Sequence, residues 1–250
     1  MGRSERQGRS LRDKRVAILL ADGFEFVELA IPRAALRRAG ATVELISPSA
    51  GRVRGMNLTE PASRVAVDHT LDQADPGAYD ALFVPGGFVG PDLLRQSSAA
   101  RRFAQAMDAA NKPIASLCHG PWLLISAGLV FGRTLTSWPG VRDDVVHAGG
   151  VWRDQPLVCD RNWVTSRGPQ DLPVFVPAML ALFAQGAAAP LLTDVDFGLA
   201  APSEASSPQA ERPLALAVAG SRFLPSAALG TVVGVAAAMA AGALVRSQLD

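Results

Sequence analysis

At 250 residues, with 49% hydrophobic side chains and a formal charge of +1, the chain is long enough to bury a substantial core in one domain plus appendages. Its 24 Lys and Arg nearly cancel 23 Asp and Glu, and a single Tyr leaves few stacking platforms, which excludes the basic, aromatic-studded surface of a nucleic-acid binder. Only two cysteines occur, Cys118 and Cys159, and the N-terminus lacks the apolar stretch of a secretory signal, so free thiols in a reducing cytoplasm are expected.

Residues 1–14 are polar and Arg-rich with no periodicity, which predicts a disordered basic arm. From there to residue 189 short apolar runs alternate with longer amphipathic ones. "RVAILLA" (15–21) predicts a buried strand, "EFVELAIPRAALRRAG" (25–40) a helix interrupted by Pro32 and closed by Gly40, "TVELISP" (42–48) a strand and "ALFVPGG" (81–87) another. The helical pattern of 99–111 leads into "KPIASL" (112–117), a further strand, and "HGPWLLISAGLV" (119–130) turns helical. "LVCDRNWVTS" (157–166) predicts a hairpin about a polar Asp-Arg-Asn turn, before a last helix near 171–185. Strand, helix, strand in this rhythm predicts an α/β fold, a doubly wound, mostly parallel sheet with helices on both faces.

In such a sheet the ligand crevice lies outside the carboxyl ends of the strands, and "KPIASLCHGPWLL" (112–124) places Cys118 at one of those ends. A residue at this strand-to-helix corner is lifted out on a tight turn, and the N–H groups and dipole of the following helix favour the thiolate over the thiol. A lowered pKa for Cys118 and none for Cys159 is therefore expected. Position alone also fits a small core cysteine.

"ASLCHGPWLLISAGL", with "ADGFEFVEL" (21–29), "FVPGG" (83–87), "TSWPG" (136–140), "DDVVHAGG" (143–150) and "NWVTSRGPQDLP" (162–173), resembles the PfpI family of intracellular cysteine peptidase-like proteins, within the superfamily of the Parkinsonism-associated deglycase and its class I glutamine-amidotransferase-like fold. The resemblance runs over residues 14–186. It implies that Cys118 is the nucleophile and His119 its general base, that Glu25 hydrogen-bonds the thiol, and that Gly86 and Gly87 with the His119 N–H form an oxyanion hole. Some members carry a Glu after the paired glycines that reaches across a subunit interface to orient the histidine; here Asp92 stands in that segment. The resemblance also implies a homo-oligomer, a dimer or hexamer.

Three activities use these parts. One is attack on a reactive carbonyl, a small aldehyde such as methylglyoxal or its glycated adducts on amines, giving general stress protection. The others are peptide or amide hydrolysis, and a non-enzymatic chaperone or redox sensor in which Cys118 is oxidised. The first is the reading favoured here. No cofactor and no metal is expected: "PGG" has neither phosphate-loop spacing, and His69 and His147 lack a partner at ligand spacing. Cys159, among apolar neighbours, is expected to be structural.

Beyond 189, "APSEASSPQAERP" (201–213) lies in an expected linker of 190–222, and "FLPSAALGTVVGVAAAMAAGALV" (223–245) follows without a charge. As a helix that run spans roughly 35 Å, enough for a hydrocarbon core of about 30 Å. Gly230, Gly234, Ala238 and Gly242 line one face with small side chains. A C-terminal anchor tethering a cytoplasmic domain and an Ala-rich packing helix are both consistent with it.

Overall fold

The structure, a computed structural model, describes residues 10–186. The expected linker and apolar run of 223–245 lie outside the described residues, as does most of the N-terminal arm. Among the described residues no helix is long and apolar enough to cross a membrane. The arm assigned to 1–14 is corrected at its end: Leu11 is fully buried and its N–H donates to the Ala39 carbonyl at 2.8 Å, because a lone leucine in a polar stretch still gains from closing the core.

In chain order the elements are β1 (Arg15–Leu19), β2 (Phe24–Glu25), α1 (Phe26–Arg38), β3 (Thr42–Ser47), β4 (Arg52–Asn57), β5 (Glu60–Ala66), β6 (His69–Thr70) and β7 (Ala81–Val84). They continue as α2 (Gly90–Gln96), α3 (Ser98–Ala109), β8 (Ile114–Leu117), α4 (Pro121–Ser126), β9 (Thr134–Leu135), α5 (Arg142–His147), β10 (Val151–Trp152), β11 (Val158–Asp160), β12 (Trp163–Ser166) and α6 (Leu172–Gln185). The main sheet has the order β11-β12-β8-β7-β1-β3-β6, parallel throughout except for the antiparallel edge pair β11–β12. This is the doubly wound α/β arrangement that the alternation of runs predicts.

Strands β7, β8 and β12 are buried at every position, so the sheet is covered on both faces. Helix α1 packs against α6, and α2, α3 and α4 pack on one another. The chain winds outward from β1 through β3 to β6, then crosses back to β7, β8 and β12, so the switch in winding falls between β1 and β7. The carboxyl ends of β1, β7 and β8 therefore meet at one crevice.

Three expectations about elements change. Helix α1 runs through Pro32 without interruption, although a proline in a helix interior costs about 3 kcal/mol; its ring is buried. The helix expected over 119–130 is confined to Pro121–Ser126, where Gly128 at φ +73° marks its end. A second sheet that the apolar pattern does not announce, β2-β4-β5, leans over the crevice: β4 and β5 form an antiparallel hairpin, and β4 pairs with β2 in parallel.

Candidate active site

Cys118 follows β8 with φ +58°, a left-handed backbone that few side chains adopt. Two neighbours hold it there. Its N–H donates to the Ser166 carbonyl at 3.1 Å, and its own carbonyl accepts from the Trp138 N–H at 2.9 Å. The next residue then folds back, bringing His119 Nδ1 to 3.2 Å from Cys118 Sγ. Both side chains are buried.

The loop after β7 approaches from the other side. Gly86 leaves no room for a Cβ, which would fall against Cys118 Cβ and 2.6 Å from Glu28 Oε2. Gly87 has φ +104° and is packed against the Gly23 carbonyl. The Gly87 and His119 N–H groups both act on the Cys118 sulfur. Gly86 is corrected as a donor to an oxyanion: its N–H donates to Glu28 Oε2 at 2.8 Å and is spent there.

The glutamate contact is corrected in the same way. Glu28, on the first turn of α1 and fully buried, is the acid that sits against Cys118 across Gly86. Glu25 instead accepts the Leu58 N–H at 2.9 Å, tying the tip of the β4–β5 hairpin to the crevice. Glu28 lies one helical turn beyond Glu25, and the helix turns the later acid inward. Asp92 also departs from its expected role. Its carboxylate accepts from Arg95 Nε and from Gln96 Nε2, each at 2.8 Å, because i,i+3 and i,i+4 partners on α2 lie within reach. Within this chain it does not reach His119.

Burial dominates the electrostatics. It raises Glu28 to about 8, with Glu25 adding to the effect, and raises Glu25 to about 7. His119 is lowered to about 4 by burial, so the imidazole is neutral at neutral pH. The expected lowering of the Cys118 thiol is not found: burial pushes it up, an ionised Glu28 adds to that, and the Gly87 and His119 N–H groups act in the opposite sense. Helix α4 is six residues long and begins three residues after the sulfur, too little dipole to outweigh desolvation. Because Glu28 holds its own proton near neutrality, its repulsion of a thiolate is absent there. Burial raises Cys159 to about 11.

A small cavity opens over the sulfur. Its floor is Glu25, Glu28, Gly87, Cys118 and His119, and its walls are Leu58, Phe88, Trp138 and Pro169. No cationic side chain lines it. Leu58 and the role of Glu28 escape motif reading; the one available signal for Glu28 is an acid set among the apolar residues Val27, Leu29 and Ile31 of an amphipathic helix. His69 faces Glu44 at 3.5 Å and His147 ends α5, both away from the cavity. Among the described residues no cluster of three His, Cys, Asp or Glu side chains could hold a metal ion.

Relatives match most of the described residues. The chain is 42% identical over 158 residues to the protein named deglycase PH1704 of Pyrococcus horikoshii, covering 63% of this chain and 92% of the relative. It is 39% identical over 164 residues to protein/nucleic acid deglycase 2 of Escherichia coli, covering 65% of this chain and 93% of that one. A solved two-domain protein from Anabaena variabilis, containing DJ-1/ThiJ/PfpI-like and ferritin-like domains, superposes with a TM-score of 0.66 at 32% identity over 74% of this chain and 52% of that chain. The model of the DJ-1/PfpI family matches residues 14–182, the span that contains every crevice residue described above, and the chain belongs to the DJ-1/PfpI family.

Proposed function

We propose that the chain is a cysteine-dependent enzyme of the deglycase and glyoxalase type, acting on reactive carbonyls or their adducts on amines. The observation that carries this is the Cys118 Sγ to His119 Nδ1 separation of 3.2 Å beneath two converging backbone N–H groups. Two relatives named deglycases support it. Sulfur adds to an aldehyde carbon, the carbonyl π pair moves to oxygen, and the thiol proton passes through His119 Nδ1 to that oxygen, giving a hemithioacetal. A buried imidazole gives up an acquired proton readily, because its charged form is the one that burial disfavours. On an α-oxoaldehyde, moving the C1 hydrogen to C2 as a proton then gives a thioester, and water cleaves the S–C bond, releasing a hydroxy acid and restoring the thiol.

The narrow, apolar mouth suits a short uncharged carbonyl better than an extended peptide, which needs a groove. The substrate is accordingly a small aldehyde or a glycated amine. A homo-oligomer, dimer or hexamer, in which Asp92 of one subunit approaches His119 of another, belongs to the same proposal; exposed Phe88, Val89 and Leu93 beside the mouth support it. A cytoplasmic location with 223–245 as a membrane tether is a separate proposal, motivated by the length and lack of charge of that run.

Comparing wild type with Cys118→Ser on methylglyoxal, on a methylglyoxal-treated peptide and on a fluorogenic peptide tests the activity. Hydroxy-acid release from the first two is expected, with a loss of about 1,000-fold or more in the variant. Cleavage of the fluorogenic peptide alone would move the assignment to a peptidase.

A further inference from the structure

His119 has no carboxylate partner among the described residues. Its ring is enclosed by aromatic ones instead, with centroids at 4.7 Å to Phe88, 4.8 Å to Trp122 and 5.8 Å to Trp138. Trp122 is the ring held from behind. Its Nε1–H donates to Asp144 Oδ2 on α5 at 2.8 Å, and the Arg95 guanidinium of α2 lies 4.7 Å over its centroid. Arg95 is in turn fixed by Asp92 at 2.8 Å. Three elements, α2, α4 and α5, thus converge on one indole, and that indole touches the general base.

We propose that Trp122, pinned by Asp144 and Arg95, is a positioning residue that sets the plane of the His119 imidazole and closes its edge to water, so that within one chain Asp92 acts on the histidine through Arg95 and Trp122. An indole is rigid and large, and a charge-assisted hydrogen bond at its far end removes its remaining freedom. The arrangement substitutes a packed wall for the hydrogen-bonded carboxylate that orients many catalytic histidines. It rests on the reading of Cys118 and His119 given above.

The groups facing His119 that also titrate are Cys118 at the end of β8 and Glu25 and Glu28 from β2 and α1. Asp92, Arg95 and Asp144 reach it only through the indole. Since burial alone depresses the imidazole, removing the wall raises its pKa.

The test is an NMR titration of the full chain labelled with ¹⁵N-histidine, alongside the pH profile of turnover. With three histidines in the sequence, the His119 signal is the one lost in His119→Gln. In Trp122→Ala the His119 midpoint is expected to rise by at least one pH unit from about 4, and the acid limb of kcat/KM to move up with it. Asp144→Ala shifts both in the same direction by less. Trp122→Phe keeps a wall but loses the hydrogen bond to Asp144, so it shifts both by about as much as Asp144→Ala, whereas Asp144→Asn keeps an acceptor for the indole N–H and stays near wild type. The proposal is overturned if the alanine variants leave the midpoint in place, or if Trp122→Phe moves it as far as Trp122→Ala. Should Trp122→Ala fail to fold by circular dichroism, Asp144→Ala decides alone. A wild type that turns over no carbonyl would remove the enzymatic reading, while the titration would still decide the role of Trp122.

Discussion

Glu28 is fully buried beside Cys118, and its raised pKa of about 8 makes a statement about stability as well as chemistry. A carboxyl that is harder to ionise folded than unfolded holds its proton more tightly in the native state. Its stabilising contribution is therefore complete below the unfolded value of about 4.3 and is lost as the pH rises toward the folded value. Glu25, at about 7, has the same sign. His119, lowered to about 4, has the opposite one, since its burial costs stability as the pH falls below about 6.5. Glu28→Gln has no proton to lose and keeps an acceptor for the Gly86 N–H. Its Tm relative to wild type is expected to climb between pH 5 and pH 8, which scanning calorimetry at fixed ionic strength checks. A difference independent of pH would mean that Glu28 titrates like a surface acid.

Elements are joined away from the crevice by Asp108 on the last turn of α3. One carboxylate oxygen, Oδ1, accepts from Arg133 Nη2 at 2.7 Å beside β9, and from Trp163 Nε1 at 2.8 Å and Asn162 Nδ2 at 3.2 Å at the start of β12. Arg133 is 6% exposed and stacks 4.0 Å over Trp163. Asp108→Ala leaves that guanidinium buried without its charge partner, a loss of about 3 kcal/mol or more in urea unfolding. Asp108→Asn keeps an acceptor and loses less. A cost near zero for the alanine variant would show that water satisfies the cluster. The same elements show what the sequence makes legible. Runs such as 16–19 and 81–84 are apolar on both faces because they lie inside a parallel sheet, and their pattern survives any context. The hairpin of β4 and β5 does not announce itself, since Arg52, Arg54, Arg64 and Pro61 interrupt its alternation on a mostly solvated sheet; yet it carries Leu58 to the cavity wall. The adjacent Cys118 and His119 are legible as a pair. Which of Glu25 and Glu28 meets the sulfur depends on the direction in which α1 leaves the crevice, and that is a tertiary fact.

For the whole molecule, the groups of the cavity span Glu25 to Pro169, inside the described residues 10–186. A chain ending at Gly186 is accordingly expected to melt and turn over as the full-length protein does, measured by calorimetry and by hydroxy-acid release. Loss of either would assign residues 187–250 a part in the catalytic domain. Fractionation of the same two proteins tests the tether: the full chain is expected with carbonate-washed membranes and the shorter one in the supernatant, and finding both in the supernatant removes the anchor.

The left-handed backbone at Cys118 has an evolutionary corollary. Every side chain placed there works against the conformation that the turn demands, at a cost on the order of 1–3 kcal/mol, and glycine alone escapes it. A population selected only for surviving heat would drift toward glycine at this position, becoming hardier and inert in one step. Retention of a thiol at residue 118 is in that sense a tax on robustness, and its persistence in a lineage would record selection for what the sulfur does.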